Sequence, residues 1–176
     1  MLNSLTFKKP YLENNQIILR QTIVEDFDDL YAQGCIKKIW DQHSEKTRYK
    51  KGEFKKYLLT GLKNDLGCFT IIEKKTDKII GSTRYYDLDK SNLFVRIGFT
   101  FIGYKYWGTG INFNIKKLMI DFAFEHVKII SFMIYNQNFR SQSAVIKLGC
   151  FFSNEINDRN EYILTKKNWK KTMLNH

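Results

Sequence analysis

Residues 108–110 read Gly-Thr-Gly, between a stretch with strand character (93–102) and one with helix character from Ile111 onward. A helix start leaves backbone N–H groups unpaired and carries partial positive charge. Glycines there let the amides approach an anion without side-chain obstruction. The turn is therefore a candidate phosphate cradle. Two familiar cradles do not fit. No Gly-Lys-Ser/Thr ending follows, and Phe113 stands where G-x-G-x-x-G needs its third glycine. On the two glycines alone, a tight turn needing positive φ is the simpler reading. The three cysteines (Cys35, Cys68, Cys150) form no C-x-x-C pair, and the three histidines (His43, His126, His176) show no ligand spacing. They read as free thiols in a reducing compartment and as no metal site.

The elements that must position this turn follow from periodicity. Strands are expected at 17–21, 67–73, 78–87, 93–102 and 128–136, with a closing hairpin from "CFFSNEI" and "NEYILTK" around a polar turn at 157–160. Thr22 and Glu25 fit a capping box ahead of a helix running to about Cys35. A second helix covers about 52–64. Ile111, Ile115, Leu118, Met119, Phe122 and Ala123 form one apolar stripe of a third, ending near His126. A short fourth over 139–149 closes at Gly149. Strand, helix and strand across 93–136 imply a parallel crossover, with the other strands free to pair antiparallel. The expected class is mixed α/β (α+β), with helices on both faces of the sheet.

With 176 residues, 43% hydrophobic, one proline and no linker or repeat, the chain reads as a single domain over 1–176. No apolar run reaches membrane-span length, and "MLNSLTFKKP" has no secretory-signal pattern, so a cytoplasmic location is expected. The net charge is +11, but 23 of the 29 basic residues are Lys and 6 are Arg. Heavy joint use of Lys, Ile, Asn, Phe and Tyr resembles coding in genomes poor in G and C. The surplus favours anionic ligands. Without a compact Arg-rich stripe or a nucleic-acid motif, it does not favour direct nucleic-acid binding.

Several motifs in order resemble the GNAT acetyltransferases. Lys105-Tyr106-Trp107-Gly108-Thr109-Gly110 is similar to their [R/Q]-x-x-G-x-[G/A] signature, with Lys in place of Arg or Gln. "IIGSTRYYDLD" resembles the family's third strand. "IGFTFIGYKYWGTGINFNIKKLMIDFAFE" and "NFRSQSAVIKLGCFF" resemble a subgroup similar to ribosomal-protein N-terminal-alanine acetyltransferases. The likeness covers about 16–170. Tyr104 replaces the usual proline, Asn114 a glutamate and Cys150 a phenylalanine. Many relatives have a tyrosine that protonates the departing thiolate seven residues after the motif asparagine. Here that position is Val145.

The resemblance implies a GNAT-like, mostly antiparallel sheet with a parallel, splayed strand pair. Acetyl-CoA is the implied co-substrate, with no metal. Amides from Gly108 through Thr109, Gly110 and Ile111 to Asn112 would hold its pyrophosphate, flanked by Lys105 and Trp107. Backbone groups of Thr100, Phe101 and Ile102 would pair with the pantetheine arm like an added strand, and the Phe101 backbone would serve the oxyanion. Asn138 would bond the pantetheine, Ser141 would donate to the thiolate, and Lys147 would reach the phosphates. Asn112 and Lys116, four apart on one helix face, are read as contacting cofactor or acceptor, or as a solvated polar face. No base is identified; Tyr85, Asp87 and His43 are candidates by location.

The implied activity is acetyl-CoA-dependent N-acetyl transfer to a primary amine by direct attack in a ternary complex. The acceptor is a protein N-terminus, a ribosomal protein's included, or a small amine. No membrane partner is expected, and a homodimer stays open. The alternative is a non-catalytic acetyl-CoA-binding or RNA-associated module that keeps the fold.

Overall fold

The computed structural model describes residues 10–174. The reading of residues 1–9 as lacking a secretory signal lies outside that range. Eight strands form one sheet: β1 (Leu12–Glu13), β2 (Ile17–Gln21), β3 (Cys68–Glu73), β4 (Lys78–Asp89), β5 (Phe94–Ile102), β6 (Ile129–Tyr135), β7 (Phe151–Ile156) and β8 (Arg159–Thr165). Their spatial order is β1-β2-β3-β4-β5-β6-β8-β7. Every neighbouring pair is antiparallel except β5 with β6, which is parallel as the crossover requires.

Helices cover both faces. The crossover helix α4 (Ile111–His126) buries Ile115, Met119, Ile120 and Ala123 completely. Its stripe joins Ile17, Ile71, Val95, Ile130 and Leu164 of the sheet in the larger core cluster, with Trp169 of α6 (Lys166–Met173). On the opposite face, α1 (Phe27–Gly34), α2 (Lys37–Trp40) and α3 (Lys51–Leu62) enclose an aromatic cluster of Trp40, Phe54, Tyr57 and Phe101. Rings there meet edge-on or tilted at 5.4–6.4 Å, the geometry such pairs favour. Phe101 belongs to β5, so this cluster fixes the strand the sequence singled out. A short helix, α5 (Phe139–Ile146), follows β6.

The expected capping box at Thr22 and Glu25 is replaced. Asp26 accepts from the Ile23 backbone N–H at 3.0 Å, from Arg20 through both guanidinium nitrogens (2.7 and 2.6 Å), and from Thr70 at 2.7 Å. Burial alone would raise the Asp26 carboxyl. These donors outweigh it and hold the group below its ordinary value. The cap moved because Asp26 finds the Arg20 guanidinium on β2, six residues back, and the Thr70 hydroxyl on β3, 44 residues on, a partner that no local spacing reveals.

Candidate active site

β5 and β6 pair over three positions only, from Phe94↔Ile129 to Arg96↔Ser131. Beyond them β5 stays with β4, β6 stays with β8, and the two strands diverge. A cavity of about 500 Å³ opens in the gap, walled by 97–102 of β5 and 132–135 of β6. β5 is bent at this point. Its register against β4 slips between Ser82 and Arg84, and Phe99 takes φ 49°. Such a left-handed non-glycine residue costs about 1–2 kcal/mol. The Tyr57 hydroxyl, which also meets Ser82 Oγ at 3.0 Å, holds it by donating to the Phe99 carbonyl at 2.5 Å. Arg84, buried beneath, donates to the Tyr57 carbonyl. Gly81 permits the close crossing of the next residues, since a Cβ there would lie 2.1 Å from the Phe101 carbonyl oxygen.

The glycine turn forms one end of the cavity, through Trp107, Gly108, Gly110 and Asn112. Gly108 (φ 76°) and Gly110 (φ 81°) both need the left-handed region, and Gly110 is the residue from which α4 starts. An added Cβ at either would meet nothing within 4 Å, so the space before them is open. Among the described residues, no protein acceptor takes the amides of Gly108, Thr109, Gly110 or Asn112. The cradle thus has room, free donors and the positive end of a sixteen-residue helix.

The far wall comes from α5 and the loop between α2 and α3. Asn138 is buried and caps α5, its Oδ1 accepting from the Ser141 amide at 3.2 Å, and both residues line the cavity. Val145 lines it too, with no hydroxyl to offer. Lys116, expected near Asn112, is 6% exposed and donates to Thr100 Oγ1 at 2.6 Å. Burial pushes its ammonium down to about 7; Cys150, the neighbour acting the other way, is itself pushed up to about 12 by burial. His43 also faces the cavity. Burial, followed by the charges of Arg48, Arg140 and Arg159, pushes its imidazole down to about 4.

A splayed parallel pair beside a glycine turn at a helix start is the arrangement the sequence resemblance implied; the bend in β5 is added by the structure. The GNAT acetyltransferase domain model matches residues 16–150. This chain belongs to that family. The GNAT fold recurs in solved structures: a GCN5-related N-acetyltransferase from Brucella melitensis (17% identity, TM-score 0.84, 95% of this chain and 83% of that one); a proposed ribosomal-protein-serine acetyltransferase from Vibrio cholerae (16%, 0.73, 89% and 97%); and the microcin C7 self-immunity acetyltransferase MccE, solved with acetyl-CoA and AMP (18%, 0.68, 86% and 93%). No curated protein matches the sequence.

Within this GNAT domain the residues singled out from sequence divide. Thr100, Phe101, Ile102, Trp107, Gly108, Gly110, Asn112, Asn138 and Ser141 line the cavity. Lys105, Thr109, Ile111 and Lys147 do not. Lys105 lies over the Tyr106 ring, and Thr109 spans the turn by donating to the Tyr106 carbonyl. Ile111 is core, and Lys147 is exposed at the end of α5. Of the base candidates, Tyr85 is fully buried and donates to the Met119 carbonyl, facing away from the cavity. Asp87 lines it but is held by Arg96 at 2.7 Å. The reading of Lys116 as one of a solvated face is overturned by its burial. Tyr86, Arg48, Arg140 and Arg159 also line the cavity. Sequence reading missed them, because three segments far apart in the chain deliver the arginines.

Proposed function

We propose that this domain holds acetyl-CoA along the β5–β6 splay and transfers its acetyl group to a primary amine, on a protein N-terminus or a small molecule. The observation that carries this is the continuity of one cavity from the free amides of the glycine turn, along the open side of β5, to Ser141. The pyrophosphate binds the turn, and the pantetheine pairs with 100–102 as an added strand. The amine nitrogen attacks the thioester carbonyl while the Phe101 backbone N–H receives the oxyanion. As the C–N bond forms and the C–S bond breaks, sulfur leaves as thiolate and Ser141 donates to it. The ammonium proton passes through water, since His43 near 4 is neutral at pH 7 and a weak acceptor.

Val145 favours one second reading, a domain that binds acetyl-CoA without turnover. Release of free thiol from acetyl-CoA with a panel of amines separates the two. Turnover supports the enzyme; tight binding without turnover supports the second reading. Gly110→Trp tests the cradle. The new side chain projects into the open space before the turn; its φ of 81° costs about 1–2 kcal/mol, which the melting temperature reads, and acetyl-CoA affinity falls by about 100-fold. Unchanged affinity would place the cofactor elsewhere.

A further inference from the structure

Five cationic side chains line the cavity: Arg48, Arg96, Lys116, Arg140 and Arg159. Asp87 is the one carboxylate among the lining residues. Arg96 consumes it, pairing with Asp87 at 2.7 Å and with Glu161 at 3.1 Å. Arg48 has neither a side-chain hydrogen bond nor a carboxylate within 4.0 Å among the described residues, and its guanidinium rests 5.1 Å from the Tyr57 ring and 5.7 Å from the Trp40 ring. Arg159 donates to Ser44 Oγ at 3.0 Å and reaches an exposed Asp158 only at 3.8 Å. Arg140 stacks 3.8 Å over Trp107 and donates to the Ile39 carbonyl. Three segments, the 41–50 loop, α5 and the start of β8, thus bring three guanidinium groups around His43, and the carboxylates that act on them (Glu45, Asp41 and the exposed Asp158) lie outside the cavity lining.

Gathering like charges in a half-buried cavity raises the energy of the folded chain. Lysines outnumber arginines 23 to 6 in this sequence, yet four of the six arginines are here. The planar guanidinium fork matches carboxylate and phosphate oxygens in pairs, which lysine cannot do. The glycine cradle already serves the cofactor's pyrophosphate from the β5–α4 turn. Arg48 and Arg159 come from the 41–50 loop and the start of β8, neither of which contributes to that turn. We propose that the acceptor amine carries an oxyanion, a carboxylate or a phosphate, clasped by Arg48 and Arg159 within the field of Arg140. The inference rests on the acetyltransferase reading and narrows its acceptor. A seated oxyanion also offsets the arginine field at His43, raising its basicity beside the attacking amine.

The test uses full-length protein, acetyl-CoA and four small amines at fixed ionic strength: propylamine, 1,3-diaminopropane, β-alanine and 2-aminoethyl phosphate. The expected kcat/KM is at least about tenfold higher for one of the two anionic amines than for propylamine. Their relative order tells carboxylate from phosphate. Arg159→Gln, at the half-buried start of β8, and Arg48→Gln should each raise KM for the anionic amine about tenfold. Equal use of propylamine, or preference for the diamine, overturns the proposal while leaving the acetyltransferase reading intact. So does a rise in KM for acetyl-CoA instead of the amine, since the arginines would then hold cofactor. If no amine turns over, binding decides. Propionate and inorganic phosphate are titrated into the CoA-bound protein while the His43 ring signals are followed by NMR. Saturable shifts that weaken about tenfold in Arg159→Gln support the oxyanion site. Unmoved signals overturn it.

Discussion

Lys116 shows how far a residue's type misleads without its surroundings. Its spacing from Asn112 places both on one helix face, which is correct. Charge then argues for solvent, because lysine is rarely buried without a partner. In the structure it lies under the sheet against Phe132, with Thr100 Oγ1 as its acceptor and no carboxylate within 4.0 Å among the described residues. Its folded value near 7 lies below its ordinary 10.5. The unfolded chain therefore binds the proton more tightly between those values, and folding stability rises with pH through that window. From pH 7 to 9 this group should contribute a rise of about 2 kcal/mol, and the raised thiol of Cys150 acts in the opposite sense as pH passes its ordinary value of 9.0. Lys116→Met should melt at or above the wild-type temperature at pH 7 and lose that rise. Parallel slopes for the two proteins between pH 7 and 9 would show that Lys116 stays protonated.

At the level of elements, the site is a bend in β5 supported from behind. The support runs from Arg84 to the Tyr57 carbonyl, and from the Tyr57 hydroxyl to the Phe99 carbonyl. Tyr57→Phe removes the hydroxyl and both its hydrogen bonds, to the Phe99 carbonyl and to Ser82 Oγ, and keeps the ring among Trp40, Phe54 and Phe101. It should cost about 1 kcal/mol of stability. If the bend presents the Phe101 amide to the oxyanion, kcat falls about tenfold while KM for acetyl-CoA stays within about twofold, which marks Tyr57 as a positioning residue. A purely structural role would lower the melting temperature and leave kcat alone. The strands themselves were legible: the apolar runs gave β3 to β6 within two residues, and the α4 stripe gave Ile111–His126. Periodicity carries those because burial repeats along them. The short α2 and α6 were not read, since four and eight residues hold too few apolar positions to show a period. The bulge at Phe99 was equally silent, because its cause is Tyr57, 42 residues away.

The molecule as a whole carries a net charge of +11, and four of its six arginines line the cavity. The main strands, the glycine turn before α4 and the asparagine cap could be read from local order in the chain. The arginine-lined wall could not, because it exists only once the 41–50 loop, α5 and the start of β8 have met. That wall leaves a measurable signature in His43. Its ordinary value is 6.5 and its folded value about 4, set first by burial and then by Arg48, Arg140 and Arg159. A histidine depressed in the folded state stays neutral there while the unfolded chain takes up a proton. Stability is therefore full above pH 6.5 and declines as pH falls from 6.5 toward 4, by about 3 kcal/mol at most. The loss from Asp26 sets in lower, as pH falls through the ordinary carboxylate value of 3.8 toward its lowered folded value. His43→Gln keeps the ring's polarity without its titration. Thermal melts at pH 7, 5.5 and 4.5 should show the variant losing less stability than wild type across the upper interval. Adding phosphate should narrow the difference between them, as an oxyanion between Arg48 and Arg159 would return His43 toward its ordinary value. A difference that persists unchanged at saturating phosphate would mean that burial alone, and not the arginine field, depresses His43.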